Sequence, residues 1–262
     1  MGTHGGDAYP AGGDAYPAGG ARSAPGKAEH LALIVAAGGY GLRLGVGSPK
    51  QYLPLLGIPM VQRTLAALDD CPLVTCMVVV VNPADVRYCS AEIVAERFEK
   101  VVAVVGGGAE RAFSVRNGLR ALAERGGAEL VGVHDGARPL VGCAEVEAAV
   151  ARLRGDLSLA GVVVGLPSTD TVKMVDEAGL VTATPDRRRV WRAFTPQIFR
   201  WDVFVQAYGQ ADEVLAAATD DASLVEGLGG RVAMVEGSPE NLKVTTPTDL
   251  RVAEHILAER RR

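Results

Sequence analysis

Short apolar runs alternate with longer amphipathic stretches along this chain, and this pattern predicts alternating strands and helices. Apolar runs rich in β-branched residues are typical of strands buried on both faces, and they occupy residues 31–37, 75–81, 101–105, 130–134 and 159–165. Between them, the patterning predicts helices near 59–69, 84–98, 111–124 and 144–154, with Pro59 at the first helical position. Strands separated by helices form βαβ units. We therefore expect an α/β fold, a Rossmann-like, mostly parallel sheet with helices on both faces.

The alternation breaks at residues 166–190, which are polar, bounded by prolines and β-rich in two places. This segment predicts a projecting β-hairpin arm with its turn at 176–179. An arm has little core of its own, so we expect it to pack on a partner subunit; a mobile lid is the alternative. Helices near 200–208 and 220–228 and a strand at 231–236 follow. Thr246 is expected to cap a last helix, with Pro247 at its first position and Asp249 favouring its positive end.

The N-terminal segment has a different composition from the rest of the chain. Residues 5–20 repeat the unit GGDAYPA, and glycine, proline and alanine dominate through about residue 26. Such a segment buries too little apolar area to offset its ordering entropy. The sequence therefore predicts a disordered tail at 1–27 and one folded domain at 28–262.

Composition narrows the classes of function. The chain has 262 residues, of which 48% are hydrophobic, and a net charge of −4, which argues against nucleic-acid binding through a basic surface. No apolar run reaches the ~18 residues of a membrane span, and the N-terminus has no apolar signal-peptide core. The four cysteines lack zinc-like spacing and indicate reduced, mostly buried residues of a cytoplasmic protein; they are Cys71, Cys76, Cys89 and Cys143.

The first predicted strand runs into a glycine-rich loop, GGYG at residues 38–41, and two cations, Arg43 and Lys50, follow. Glycines let backbone N–H groups point at an anion, because no Cβ stands in the way. The two cations would add full positive charge where the loop supplies only partial charge. This stretch therefore predicts a phosphate-binding site.

Three phosphate-binding motifs compete for this loop. A dinucleotide-binding loop would require a third glycine where Leu44 stands and an acidic residue where the next strand ends in Asn82. A Walker loop would require Gly-Lys-Ser/Thr, but Lys50 lies between Pro49 and Gln51. The nucleotidyltransferase pattern, G-x-G-x-R followed by Pro-Lys, fits without adjustment. A glycine-rich turn with two solvated cations is the purely structural alternative.

Other polar residues follow the predicted strands. In an open α/β sheet, ligands bind beyond the carboxyl ends of the strands. The loops that begin there carry glycines, hydroxyls and charges: Gly108, Arg111 and Ser114, then Asp135 and Arg138, then Asp170, Thr171 and Lys173. We therefore expect these loops to share one ligand site with the glycine loop.

These residues belong to an ordered set of motifs, and the set resembles a known family. After GYGLR come SPKQY, GGGAERAFSV, HDGARP, TDTVK, WRAFTPQIF, TDDAS and NLKVT. This order is similar to that of the 2-C-methyl-D-erythritol 4-phosphate cytidylyltransferases, a branch of the nucleotidyltransferase fold, over about residues 30–258. Members transfer a cytidylyl group from CTP to methylerythritol phosphate and release pyrophosphate, with a divalent cation such as Mg²⁺.

The resemblance assigns roles to individual residues. The catalytic set that it implies is Arg43 and Lys50 at the α-phosphoryl transition state, with Arg187 and Lys243 aiming the attacking phosphate. The implied nucleotide-binding residues are Ala37, Gly38, Gly39, Gly108, Ser114 and Asp135. Around the acceptor phosphate and polyol it places Arg138, Thr171, Thr195 and Thr219. It also implies a homodimer in which Arg187 and Thr219 come from the second subunit, and an Mg²⁺ ion held mainly by CTP, near Asp135.

Some alternatives stay open. Ala36 replaces a usual proline, and Ala109 stands where an acidic residue is common, which puts one contact near the base or ribose in doubt. Arg187 lies in a run of three arginines, and the sequence does not decide which one points inward. His134 has no evident hydroxyl or thiol partner, so we expect it to be structural. Rival functions are a ribitol 5-phosphate or other polyol phosphate cytidylyltransferase, a non-catalytic nucleotide-binding module, and a dehydrogenase.

Overall fold

A computed structural model describes residues 16–17, 31–39 and 49–260 of the chain. Within these residues the strands are β1 (Tyr16–Pro17), β2 (Leu31–Ala36), β3 (Pro54–Leu55), β4 (Ile58–Pro59), β5 (Val74–Val81), β6 (Val101–Gly106), β7 (Leu130–Asp135), β8 (Gly161–Pro167), β9 (Met174–Val175), β10 (Val181–Ala183), β11 (Trp191–Arg200) and β12 (Val232–Glu236). The helices are α1 (Met60–Asp69), α2 (Val86–Tyr88), α3 (Arg111–Ala123), α4 (Cys143–Arg154), α5 (Trp201–Tyr208), α6 (Asp212–Ala217), α7 (Asp221–Gly227) and α8 (Pro247–Glu259).

One sheet organises these elements, with strand order β1-β6-β5-β2-β7-β11-β8-β12. Strand β2 pairs in parallel with both β5 and β7, β5 with β6, and β8 with β12. Strand β11 is antiparallel to both of its neighbours, and β1 is antiparallel to β6. The predicted α/β fold with a mostly parallel sheet is confirmed. Apart from Tyr16–Pro17, the predicted disordered tail at 1–27 lies outside the described residues.

The apolar runs are strands because both faces of the sheet are covered. In β5, Met77 and Val79 belong to one core layer and Val78 and Val80 to the other, and all four are fully buried. Helices α1 and α4 pack on the first face, and α3, α5 and α7 on the second. Parallel strands covered on both sides need no polar alternation, which explains their continuous hydrophobicity.

Strand β11 is the element that the apolar pattern missed. Trp191–Arg200 is the longest strand of the sheet, yet it includes Pro196 after a cis peptide bond and shifts register between Ala193 and Gln197. Proline cannot donate to the ladder, so a run that contains it does not have the pattern of a central strand. The bulge accommodates the proline and re-aims the side chains beside it.

Several predicted boundaries differ from the structure. Pro59 is the last residue of β4 and occupies the N-cap position of α1, so the first helical residue is Met60. The helix predicted over 84–98 is a 3₁₀ turn (Pro83–Asp85), the short α2 and a π-helical turn (Cys89–Val94) that ends at Ala95 with φ of +41°. The sequence also missed α6. The cap of α8 is as predicted, since Thr246 Oγ1 accepts the Asp249 N–H at 3.2 Å and Asp249 accepts the Thr246 N–H at 2.8 Å.

The prediction that all four cysteines are reduced is wrong for two of them. Cys71, just after α1, forms a disulfide with Cys143, the first residue of α4, with a Cα–Cα distance of 5.2 Å. Cys76 and Cys89 are free and buried, and burial raises the pKa of Cys76 to about 11 and that of Cys89 to about 12. The disulfide joins two segments that are far apart in sequence, so spacing gave no sign of it.

The predicted arm is a β-hairpin. Strands β9 and β10 pair antiparallel, and Asp176 Oδ1 accepts the N–H groups of Ala178 and Leu180 at 3.0 and 2.9 Å. Gly179 has φ of +79°, which closes the turn where the sequence placed it. The hairpin exposes a set of apolar side chains, Met174, Val175, Leu180 and Val181. Over the described ranges, no helix combines the length and apolarity that crossing a membrane requires.

Candidate functional site

A cleft of about 350 Å³ opens at the carboxyl ends of β2, β5, β6 and β7. This is where an open α/β sheet binds ligands. Of the predicted site residues, the cleft brings together Ala37, Gly38, Gly39, Lys50, Gly108, Ser114, Asp135 and Lys243. The fold therefore brings these loops together at one cleft, while their predicted roles in ligand binding stay predictions.

The glycine loop enters the cleft from β2. The Ala37 N–H donates to the Val80 carbonyl at 2.7 Å, so the chain leaves the sheet beside β5. A Cβ on Gly39 would lie 3.7 Å from Lys50 Cε, which places the lysine stem against the loop. Lys50 begins a 3₁₀ turn, Lys50–Tyr52, and is half-buried. Arg43 lies outside the described residues, so its predicted role stays a prediction.

A second glycine loop forms the opposite wall. The Gly107 N–H donates to the Val81 carbonyl at 2.7 Å, and the Gly108 N–H donates to Ser114 Oγ at 3.1 Å. Ser114 in turn lies 3.1 Å from the Glu110 carbonyl, to which its hydroxyl donates. A Cβ on Gly108 would clash with Phe113 Cβ, so only glycine fits there. Ser114 therefore fixes the shape of this loop from the first turn of α3.

At the base of the cleft, one buried carboxylate faces three cations. Asp135 Oδ2 lies 2.9 Å from Lys243 Nζ and 3.4 Å from Arg138 Nε, and Oδ1 lies 3.8 Å from Arg111 Nε. Burial alone would raise the pKa of Asp135, but Lys243, Arg111 and Arg138 outweigh it and hold that pKa well below its usual range. Asp135 therefore stays ionised among the three cations, of which Arg111 is also paired with Asp221.

Buried polar contacts place Lys243 in the cleft. The amide of Asn241 donates to Glu145 Oε1 at 3.0 Å and to the Thr195 carbonyl at 2.9 Å. The Val244 N–H donates to the Ala137 carbonyl at 2.8 Å. These bonds tie the segment on both sides of Lys243 to α4, β11 and the loop after β7.

Arg138 lies behind the cleft wall. Its side chain is buried, donates to the Asn241 carbonyl at 2.7 Å and lies 4.6 Å from the centre of the Phe194 ring. Burial lowers its pKa against the opposing effect of Asp135. In this arrangement Arg138 supports Asp135 and the Asn241 segment.

Thr195 and His134 form a buried relay behind Asp135. His134 Nε2 lies 3.2 Å from the Arg138 carbonyl, which only accepts, so Nε2 carries the proton. Nδ1 then accepts from the Thr195 hydroxyl at 3.1 Å, and Thr195 Oγ1 accepts the Asp135 N–H at 3.0 Å. Burial lowers the pKa of His134 to about 4. The histidine is thus neutral and structural, and Thr195 positions the backbone of Asp135.

The remaining predicted residues lie away from the cleft of this chain. Arg187 donates to the Thr169 carbonyl at 3.0 Å, and Arg188 pairs with Asp186 at 2.6 Å. Thr171 is exposed on the arm, and Thr219 is exposed just before α7. None of the three arginines at 187–189, all of them described, lines this cleft.

Several further residues line the cleft, among them Gln51, Glu110 and Arg111. The sequence placed Arg111 in a loop expected at the site but gave it no role of its own. Arg111 forms a bidentate ion pair with the fully buried Asp221, with N–O distances of 2.9 and 2.6 Å. The Tyr208 hydroxyl also donates to Asp221, at 2.5 Å. The sequence showed Arg111 in a strand-end loop, but nothing in it linked positions 110 residues apart.

Most of the chain matches one family of known proteins. The family model for 2-C-methyl-D-erythritol 4-phosphate cytidylyltransferase matches residues 31–259. The chain is 43% identical over 226 residues to the protein of that name from Syntrophotalea carbinolica, which covers 86% of this chain and 95% of that protein. It is 44% identical over 234 residues to the one from Pelotomaculum thermopropionicum, across 88% of this chain and 96% of the relative.

Solved structures show the same likeness. The 4-diphosphocytidyl-2C-methyl-D-erythritol synthase from Anaerococcus prevotii superposes with a TM-score of 0.72 at 28% identity, covering 87% of this chain and 98% of that one. The 2-C-methyl-D-erythritol 4-phosphate cytidylyltransferase from Francisella tularensis gives a TM-score of 0.72 at 29% identity, covering 86% of this chain and 99% of that one.

Proposed function

The chain belongs to the 2-C-methyl-D-erythritol 4-phosphate cytidylyltransferase family, and on that premise we propose that it transfers a cytidylyl group from CTP to 2-C-methyl-D-erythritol 4-phosphate. This reaction is a step in non-mevalonate isoprenoid precursor synthesis. We also propose that the protein is cytoplasmic. The observation that carries the proposed activity is the cleft itself, which is lined by Lys50, Lys243 and Arg111 together with the two glycine loops.

The electrostatics of the cleft match this reaction. Both substrates are polyanions, and two like charges ~4 Å apart repel by about 4 kcal/mol at an effective dielectric of ~20. The cations around the buried Asp135 offset that repulsion while the glycine loops supply backbone donors. An oxygen of the acceptor phosphate attacks the α-phosphorus of CTP, and the bond to the β-phosphate oxygen breaks as pyrophosphate leaves.

The chemistry needs positioning more than proton transfer. The acceptor phosphate is already ionised near neutral pH, so no general base is required. Lys50, with Arg43 from the preceding loop, is proposed to stabilise the charge on the α-phosphoryl group in the transition state. Lys243, together with Arg187, is proposed to aim the acceptor phosphate. The neutral, buried His134 agrees with a mechanism that leaves it out.

Nucleotide recognition is assigned to the two glycine loops. Ala37, Gly38 and Gly39 are proposed to hold the CTP phosphates and ribose, and Gly108 and Ser114 the cytosine. Asp135 is proposed to lie at the ribose and metal region. Asp135 Oδ1 keeps lone pairs for a ligand, because Arg111 Nε is 3.8 Å away, beyond hydrogen-bond distance.

The residues fit Mg²⁺ that enters with the nucleotide. Among the described residues, no group of three acidic, histidine or cysteine side chains gathers to hold a metal ion by itself. One carboxylate oxygen plus substrate phosphates is the usual setting for Mg²⁺. When bound, the ion would neutralise phosphate charge, and Asp135 is the residue proposed to hold it.

The arm supports a homodimer. Thr171 and Arg187 lie on or beside the exposed hairpin, away from the cleft of their own chain. We propose that the arm packs on a second copy and that Arg187 reaches the partner's acceptor site there. Thr219 is proposed to take part in acceptor binding as well.

The acceptor decides between this function and its nearest rival, a ribitol 5-phosphate or other polyol phosphate cytidylyltransferase. The test incubates the full chain with CTP and MgCl₂ and either acceptor, and follows pyrophosphate release and the new diphosphate by ³¹P NMR. Faster turnover of methylerythritol phosphate is expected. Faster turnover of ribitol phosphate would reject this acceptor, and background release with both would indicate a non-catalytic nucleotide-binding module.

A further inference from the structure

Arg111 is the cleft cation whose position is set from outside the cleft. Its two terminal nitrogens are bound end-on by the Asp221 carboxylate, at 2.9 and 2.6 Å, while Nε points toward Asp135. Arg111 is the first residue of α3, directly after the loop that carries Gly108, and Asp221 is the first residue of α7. The pair therefore joins the nucleotide side of the cleft to a separate helix.

We propose that Arg111 is a nucleotide-binding residue and that Asp221 is its positioning residue, holding the guanidinium at a fixed place beside Asp135. This proposal rests on the proposed function and adds two residues to it. The ligand class is the anionic part of a nucleoside triphosphate.

The donor count of Arg111 leaves room for a ligand. A guanidinium has five N–H donors in a fixed plane. Asp221 accepts from two of them. Nε is too far from Asp135 for a hydrogen bond, so within the part of the chain that the structure describes three donors remain. The Arg111 side chain is 35% exposed, and it lines the cleft. The guanidinium is therefore within reach of a ligand that occupies the cleft.

The support behind Arg111 is rigid. Asp221 is fully buried, and its Oδ1 also accepts from the Tyr208 hydroxyl, which is itself buried. Taking a carboxylate out of water is costly unless it is paired and hydrogen-bonded. A buried carboxylate held by two partners fixes Arg111 more firmly than a surface ion pair would.

The same helix contains a matched comparison. Arg116, five residues further along α3, pairs with Asp212 of α6 at 2.6 Å, the same distance as the shorter contact of Arg111 with Asp221. Asp212 is exposed and neither residue lines the cleft. If ion pairs from α3 serve only to hold helices together, neither pair should affect the affinity for CTP in a folded protein. If Arg111 binds the nucleotide, only the Arg111–Asp221 pair should affect the affinity for CTP.

The test measures CTP binding to the full chain by titration calorimetry with MgCl₂ present and no acceptor, for wild type, Asp221→Asn, Arg111→Lys and Asp212→Asn. Losing charge-assisted hydrogen bonds predicts CTP binding weaker on the order of tenfold for Asp221→Asn and Arg111→Lys. Asp212→Asn should bind within about twofold of wild type. In steady-state assays, the KM for CTP should rise with the dissociation constant, while the KM for the acceptor stays the same.

Each outcome decides. CTP affinity unchanged in both cleft variants, or reduced equally by Asp212→Asn, would overturn the proposal. If Asp221→Asn fails to fold, as shown by its melting temperature, Arg111→Lys and Tyr208→Phe decide instead, because both leave the Asp221 carboxylate in place. Wild type that binds CTP but shows no transfer would reject the proposed function and leave this inference standing. Wild type that binds no CTP would reject both.

Discussion

Lys243 Nζ lies 2.9 Å from Asp135 Oδ2, so the most exposed cation of the cleft is held by its most buried carboxylate. The lysine side chain is 40% exposed and the aspartate side chain 10%. An exposed ammonium that is held by a buried carboxylate loses little freedom when a ligand binds, because its direction is set in advance. The pair thus supplies a pre-positioned ammonium to an incoming anion.

Replacing Asp135 tests how much the cluster depends on this carboxylate. Asp135→Asn leaves Lys243, Arg111 and Arg138 without their common counter-charge, so we expect a loss of about 3–5 kcal/mol in the free energy of unfolding at pH 7. Urea unfolding measures it. Glu240→Gln, which breaks the exposed pair with Arg260, should change stability by less than about 0.5 kcal/mol.

Asp135 also determines how the free energy of unfolding depends on pH in acid. The pKa of Asp135 in the folded chain lies below its ordinary value of 3.8, so its stabilising effect is complete above 3.8 and is lost as pH falls through the folded value. The difference in the free energy of unfolding between wild type and Asp135→Asn should therefore decrease as the pH falls below 3.8. A constant difference down to pH 2 would contradict the ionised, paired Asp135.

His134 predicts a second, separate pH window. Burial lowers its pKa from 6.5 to about 4, so between these values the unfolded chain binds a proton that the folded chain does not. Stability should fall as pH drops from 6.5 toward 4, reaching a loss of about 3 kcal/mol. NMR of the His134 ring should show no titration between pH 8 and 5. A midpoint above 5.5 would contradict the neutral relay with Thr195.

Lys50 predicts a kinetic loss without a loss of fold. Removing a charge positioned at the transition state should lower kcat by about 10²–10³ in Lys50→Ala, and the same is expected for Arg43→Ala. Circular dichroism and melting temperature check the fold. Arg152→Ala, which breaks a surface pair with Asp156, serves as the charge-removal control. An unchanged kcat in Lys50→Ala would reject its role at the α-phosphoryl group.

The sequence predicted those features that depend on neighbouring residues. The apolar runs of β2 and β5 are visible because covered parallel strands bury every residue. The hairpin turn is visible because Asp176 and Gly179 have local backbone roles. The glycine loops and Lys50 are visible because they follow strand ends, and the fold brings strand ends together.

What the sequence did not predict depends on contacts between distant positions. Strand β11 pairs between two strands although Pro196 interrupts its pattern, because its neighbours supply the ladder on both sides. The pair of Arg111 with Asp221 joins residues 110 positions apart. Thr195 was assigned to the acceptor, yet it is buried and donates to His134, an arrangement that no local spacing reveals. Its role in acceptor binding stays a prediction.

The disulfide predicts a redox-sensitive stability. Cys71 and Cys143 are 72 residues apart, and closing a loop of that length restricts the unfolded chain. Reduction with dithiothreitol should therefore lower the free energy of unfolding by about 2–4 kcal/mol. The double variant Cys71→Ala, Cys143→Ala should be insensitive to the reductant. Equal sensitivity in wild type and double variant would show that the effect comes from another source.

The arm makes the last prediction, which concerns assembly. Val175 and Val181 are cross-strand partners on one face of the hairpin and are 56% and 58% exposed. Replacing them as Val175→Glu with Val181→Lys removes apolar surface while the opposite charges still favour the hairpin. If the arm packs on a second copy, sedimentation velocity should show the dimer of wild type dissociating in this variant, with activity falling alongside.

Leu157 supplies the matched control for that experiment. It is 83% exposed, more than either valine, but it lies outside the arm, between α4 and β8. Leu157→Glu should therefore leave the oligomeric state and the activity unchanged, although it removes comparable apolar surface. An active monomer in wild type, or a dimer that survives the arm variant, would show that the exposed hairpin has another use. Dissociation by Leu157→Glu would move the interface to the opposite end of β8.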